Sequence, residues 1–130
     1  MTLNDPLANV LSHILIEDKK GRKQTIIGHN SKIIREVLNL FKEHNYLGDI
    51  EPLKQGAGNA LKINLLGAIN KTGVIKPRYG VKVEDYKKFE KRFLPAFGFG
   101  FLIVSTNNGI MTQEDAIKQN LGGKLIAYVY

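Results

Sequence analysis

Phe97-Gly98-Phe99-Gly100-Phe101-Leu102-Ile103-Val104 runs without a break into Ser105-Thr106-Asn107-Asn108-Gly109 and then into Ile110-Met111-Thr112. The apolar run from Phe97 to Val104 reads as a buried strand, which needs partners beside it and a layer over it. The polar stretch that follows has two readings. Asn-Gly is a strong turn signal, and serine and threonine hydroxyls readily satisfy loop backbone. Equally, short hydroxyl and amide side chains on a rigid base both donate and accept, so they suit the 2′-OH groups and base edges of a shallow RNA groove. Gly109 would let the backbone come close to a ribose.

Working outward toward the C-terminus, Thr112-Gln113-Glu114-Asp115 looks like the start of a brief capped helix that Gly122-Gly123 ends, and Leu125 to Tyr130 is a last strand. On the N-terminal side, Tyr86, Phe89 and Phe93 share one face of a helix that begins near Glu84 and Asp85 and stops at Pro95. Before it lies the basic, extended segment Lys76 to Lys82. Gly67 to Gly73 reads as a boundary between two lobes, 1–67 and 68–130.

The first lobe opens with Asn4 or Asp5 as a cap before Pro6, then the helical stripe Leu7, Val10, Leu11, Ile14 and Leu15. Asp18 to Lys23 reads as a glycine-centred basic loop and Thr25 to Ile27 as a short strand. Asn30 or Ser31 caps a second helix with the stripe Ile33, Ile34, Val37, Leu38 and Phe41, which ends at Asn45 and Gly48. A hairpin follows. Ile50 to Leu53 is one strand, Gln55 to Asn59 the turn, and Leu61, Ile63 and Leu65 the alternating partner, with Pro52 at an edge or bulge. The fold class expected is therefore α/β in the α+β sense: an N-terminal α-β-α-β-β lobe and a C-terminal lobe that is mainly β with short helices.

Composition narrows the function. With 130 residues and no cysteine, the chain holds one or two small lobes and excludes disulfides, a thiolate nucleophile and cysteine-based metal sites. The balance of 19 Lys+Arg against 12 Asp+Glu gives a net charge of +7, which fits a polyanionic partner and also suits plain solubility. No apolar run reaches the roughly 20 residues of a membrane helix, and the start lacks a signal-peptide layout, so a cytoplasmic protein without a membrane partner is expected.

Catalytic arrangements are not assembled. His13, His29 and His44 lack the i, i+4 spacing of a helical zinc site, and no metal or cofactor is expected. Ser105 has no glycine two positions before it, as a nucleophile elbow would require. Gly56-Ala57-Gly58 lacks the third glycine of a dinucleotide fingerprint. Glu84/Asp85 and Glu114/Asp115 sit where carboxylates favour helix starts. An enzyme is not expected.

The segment Ile103 to Thr112, followed by Gly122-Gly123-Lys124-Leu125-Ile126-Ala127-Tyr128-Val129-Tyr130, closely resembles the universal small-ribosomal-subunit protein S-eight family. Asp5 to Leu11 and Ser31-Lys32-Ile33 match it too, so the resemblance spans essentially the whole chain. Pro77 followed by Arg78-Tyr79-Gly80 is similar to the archaeal branch. The resemblance implies a non-catalytic protein of the ribosome. It would bind the central domain of small-subunit rRNA early in assembly, contact neighbouring ribosomal proteins and, in some members, bind its own operon's messenger RNA. It implies Ser105, Thr106 and Asn107 as contact residues. Beside them we place Asn108, Gly109, Met111, Thr112, Gly123 and Lys124 as RNA-binding candidates, with Lys76 and Arg78 on phosphates and Ser31 and Lys32 at the second helix start. The rival reading is a ribosome-associated protein-interaction module; a hydrolase using Ser105 is more distant.

Overall fold

A computed structural model of the chain describes residues 6–28, 31–55, 58–76, 78–96 and 98–130. The chain divides into two compact units, Met1–Asn70 and Lys71–Tyr130.

In the first unit α1 (Pro6–Lys19) and β1 (Gln24–Ile27) precede α2 (Lys32–Glu43), β2 (Leu47–Gln55) and β3 (Gly58–Leu65). The apolar stripes form the core as their spacing requires: Leu7, Val10, Leu11 and Ile14 from α1 are buried with Ile34, Val37, Leu38 and Phe41 from α2. Leu15 and Ile33 are only half-buried. The three strands form an antiparallel sheet in the order β1-β3-β2. Pro52 lies opposite Leu61 on the edge strand β2, and the register shifts between Leu47 and Ile50.

Asp18 departs from expectation. Instead of joining a basic loop, it sits inside α1 and is 6% exposed. Its carboxylate accepts hydrogen bonds from the Gly67 N–H at 2.9 Å and the Ile69 N–H at 3.4 Å. The strands of the hairpin also run further than expected, to Gln55 opposite Gly58. The turn centre Gly56-Ala57 lies outside the described residues, as do the expected caps Asn4, Asp5 and Asn30. Ser31 caps α2 by accepting from the Ile34 N–H at 3.3 Å. Asn45, at φ 64°, ends that helix, with the Tyr46 N–H reaching back to the Phe41 carbonyl at 2.8 Å.

The second unit contains β4 (Thr72–Val74), β5 (Gly80–Val81), a 3-10 turn at Val83–Asp85, α3 (Tyr86–Phe93), β6 (Phe101–Thr106), β7 (Gly109–Thr112), α4 (Gln113–Lys118) and β8 (Gly123–Val129). Its sheet is antiparallel in the order β4-β8-β6-β7, and β5 also pairs with β8. Tyr86 and Phe89 of α3 and Ala116 of α4 pack with Leu102, Val104, Met111 and Leu125 in one core. Leu94, the cap of α3, is already extended, as the residue before Pro95 must be.

Two expectations change here. The apolar strand begins at Phe101 rather than Phe97, because Gly98 and Gly100 adopt φ 81° and 76°, outside the extended range. Phe97 itself lies outside the described residues, and Phe99 is 63% exposed. α4 ends through Asn120 at φ 56°, with the Leu121 N–H bonded to the Ala116 carbonyl at 2.8 Å, and not through Gly122-Gly123.

Candidate nucleic-acid interface

The end of β6 and the start of β7 form a tight hairpin. Thr106 pairs with Gly109, Ser105 with Ile110, and Asn107-Asn108 make the turn. Gly109 carries the left-handed conformation, at φ 109°, so this turn depends on it. The Thr106 hydroxyl is spent locally: it donates to the Gly109 carbonyl at 2.8 Å and accepts from the Asn108 N–H at 3.2 Å. Asn108 Nδ2 donates to Gln119 Oε1 at 3.4 Å, which ties the tip to the end of α4. Ser105, Asn107 and Asn108 are exposed, while Thr106 is half-buried.

The tip is one wall of a groove. β8 pairs with β6 on one side, Ser105 against Lys124, and with β5 on the other, Gly80 against Lys124 and Val81 against Gly123. Strand pairing thereby gathers Gly80, Val81, Lys82, Ser105, Thr106, Asn107, Gly122, Gly123 and Lys124 around an open groove of about 570 Å³. The two adjacent glycines are needed for this closeness. A Cβ on Gly122 would stand 2.6 Å from the Val81 carbonyl oxygen, and one on Gly123 would overlap the Ser105 carbonyl. Gly80 faces open space.

The arrangement offers chemistry suited to RNA. Exposed hydroxyl and amide groups at Ser105 and Asn107 sit beside the ammonium groups of Lys82 and Lys124, with bare backbone between them. The surrounding unit is strongly basic: Lys71–Tyr130 holds ten of the 19 Lys+Arg but five of the 12 Asp+Glu, so five of the seven net positive charges belong to it.

The structure sorts the sequence candidates. Ser105, Thr106, Asn107, Gly123 and Lys124 come together in the groove, with Asn108 and Gly109 at its tip. Met111 is buried in the core and Thr112 is 2% exposed, its hydroxyl accepting from the Asp115 N–H at 3.3 Å. Both side chains hold the hairpin and α4 from inside, so they are out of an RNA's reach. Lys76 and Arg78 are exposed but do not line the groove. Ser31 and Lys32 are exposed in the other unit, where the Ser31 oxygen is engaged as a cap. Lys82, Gly80 and Gly122 were not singled out from sequence, because only the β5–β8 pairing brings them here. Tyr128 stacks on Phe93 at 5.6 Å and on Tyr130 at 6.3 Å, covering the sheet.

Among the described residues no group of three His, Cys, Asp or Glu side chains is placed to hold a metal. His13 Nε2 is hydrogen-bonded to Thr25 Oγ1 at 2.8 Å, and His29 lies outside the described residues. No helix among the described residues is long and apolar enough to cross a membrane.

The family model for ribosomal protein S8 matches residues 5–130, essentially the full chain. The chain belongs to the ribosomal protein S8 family. It is a small-subunit ribosomal protein that binds rRNA, and its setting is the ribonucleoprotein that carries out translation. S8 proteins also contact neighbouring ribosomal proteins, and the family is structural rather than enzymatic.

Proposed function

We propose that the Lys71–Tyr130 unit makes the selective rRNA contact, by setting the Ser105-Thr106-Asn107 tip and the Gly122–Lys124 floor into the shallow groove of a helix in the central domain of small-subunit rRNA. The observation that carries this reading is the groove itself. It joins exposed short polar groups, two lysines and a glycine floor in one place. Ser105 and Asn107 would read 2′-OH groups and base edges, while Lys82 and Lys124 would hold the flanking phosphates. Thr106 shapes the tip, since its hydroxyl already serves Gly109 and Asn108.

Binding of this kind would fix the central domain early in subunit assembly. Any RNA that reproduces the same helix, including the messenger of the protein's own operon, would be recognised by the same residues. Ser31 and Lys32 at the start of α2 would add a phosphate contact from the Met1–Asn70 unit, where the Lys32 and Ile33 N–H groups precede the Ile34 N–H that the Ser31 side chain takes. Lys76 and Arg78 would add charge without selectivity.

The test is a titration of the Ser105→Ala/Asn107→Ala variant against the central-domain helix and a scrambled hairpin. Loss of about 1 to 3 kcal/mol per removed group on the helix, with binding to the scrambled hairpin unchanged, is expected where RNA polar groups lose their partners. An unchanged preference for the helix would remove the groove from the selective contact.

A further inference from the structure

We propose that the exposed face of α3 holds the phosphodiester backbone of an rRNA segment other than the helix that the β6–β7 hairpin reads. The inference rests on the rRNA-binding reading above and extends it to a second contact.

α3 carries Lys87, Lys88, Lys91 and Arg92 within its eight residues. At about 100° per residue these four fall within an arc of roughly 140°. Tyr86, Phe89 and Phe93 occupy the opposite side, and Glu90 lies off the basic arc. All four cations are exposed, and none lines the groove at the hairpin tip.

Such a face sets like charges side by side: Lys87 and Lys91, and Lys88 and Arg92, are four residues apart. The helix dipole disfavours Lys87 and Lys88 in the first turn and favours Lys91 and Arg92 in the last. Three cations elsewhere meet carboxylates: Arg22 and Lys20 meet Glu17 at 2.8 and 3.9 Å, and Lys42 meets Asp49 at 3.6 Å. Among the described residues, none of the four α3 cations has a carboxylate within 4 Å.

Aromatic rings hold two of them in place instead. The Arg92 guanidinium lies 5.3 Å from the Tyr79 ring centroid and 5.5 Å from that of Phe93, and the Lys88 ammonium lies 5.7 Å from that of Phe89. Tyr79 is packed on Phe89 at 5.3 Å, so the support is continuous. A guanidinium resting on rings keeps its edge N–H groups free for two phosphate oxygens. The helix is about 12 Å long and carries no exposed short polar groups on this face, so it fits a charged backbone and does not read bases.

The deciding variant is Lys87→Gln/Lys91→Gln, which spares the ring-supported residues. Because it removes repulsion, its melting temperature should equal or exceed that of the parent. Its affinity for a complete central-domain transcript should fall roughly fivefold, with a salt slope shallower by about 1.5, while its affinity for the isolated central-domain helix stays within about twofold. Unchanged affinity for the transcript would overturn the proposal. Equal weakening on both RNAs would also overturn it, by making α3 part of one interface with the hairpin. A parent protein that fails to prefer the isolated helix over a scrambled hairpin would instead sink the underlying rRNA reading, and this proposal with it.

Discussion

The Tyr86 hydroxyl donates to the Leu121 carbonyl at 2.9 Å, joining the first residue of α3 to the residue before Gly122-Gly123. Tyr86 is 0% exposed, so its ring anchors α3 in the core while its hydroxyl fixes the strap that leads into the groove floor. Tyr86→Phe keeps the ring and leaves the Leu121 carbonyl without its donor. It should cost about 1 kcal/mol in urea unfolding and weaken selective RNA binding severalfold, although Tyr86 touches no RNA.

Burial also raises the Tyr86 hydroxyl pKa above its ordinary value of 10.0, and does the same for Tyr46. The folded state therefore favours the neutral phenol. This stability is fully present below pH 10 and is lost as pH rises through the folded-state value. Thermal melting scanned upward from pH 9 should show alkaline destabilisation, and Tyr86→Phe should flatten part of it. A variant whose alkaline profile coincides with the parent's would exclude Tyr86 from that loss.

Gly123→Ala tests the close approach of β8 to β6. The added Cβ would overlap the Ser105 carbonyl, so the Ser105–Lys124 pairing must open. A loss of about 1 to 3 kcal/mol in thermal stability is expected, with reduced RNA affinity. Gly80→Ala meets open space and should leave stability nearly unchanged. Comparing the two by calorimetry separates crowding from the general effect of adding a methyl group.

At Thr106 the hydroxyl, and not the methyl, should matter. Thr106→Ala removes both the bond to the Gly109 carbonyl and the bond from the Asn108 N–H, whereas Thr106→Ser can restore them. The alanine variant should lose RNA affinity and show faster amide exchange at Asn108, with the serine variant close to the parent. Equal behaviour of the two would assign the effect to packing.

Asp18→Ala should destabilise the Met1–Asn70 unit by about 1.5 to 3 kcal/mol, because the carboxylate serves two backbone N–H groups, at Gly67 and Ile69. Denaturant unfolding of the variant measures this directly. RNA selectivity in the remaining folded protein should be kept.

Much of this architecture was legible along the chain, and the exceptions share a cause. The stripes of α1 and α2 and the Leu61-Ile63-Leu65 alternation are local periodicities, and each is buried as its spacing requires. The Ser105 to Gly109 tip was legible because an apolar strand ending in a polar turn leaves those side chains little to cover. Asp18 was not, since its partners lie 49 and 51 positions away and the Lys19-Lys20 that follows makes it look solvated. Lys82 and Gly80 join the groove only through strand pairing with β8, which no local pattern announces. Gly122-Gly123 follows a short helix and so resembles a helix stop, yet Asn120 performs that task and the glycines make room for two carbonyls. Met111 and Thr112 share the motif of the tip, but strand alternation and the α4 cap turn them inward.

The central claim is that the groove of the Lys71–Tyr130 unit recognises a particular rRNA helix and does more than attract charge. Its most direct test is a filter-binding titration of the purified protein against the central-domain helix and a scrambled hairpin of equal length, at two salt concentrations. The account predicts tight binding to the helix whose preference over the scrambled hairpin persists at the higher salt. Equal affinities that fall together as salt rises would contradict it.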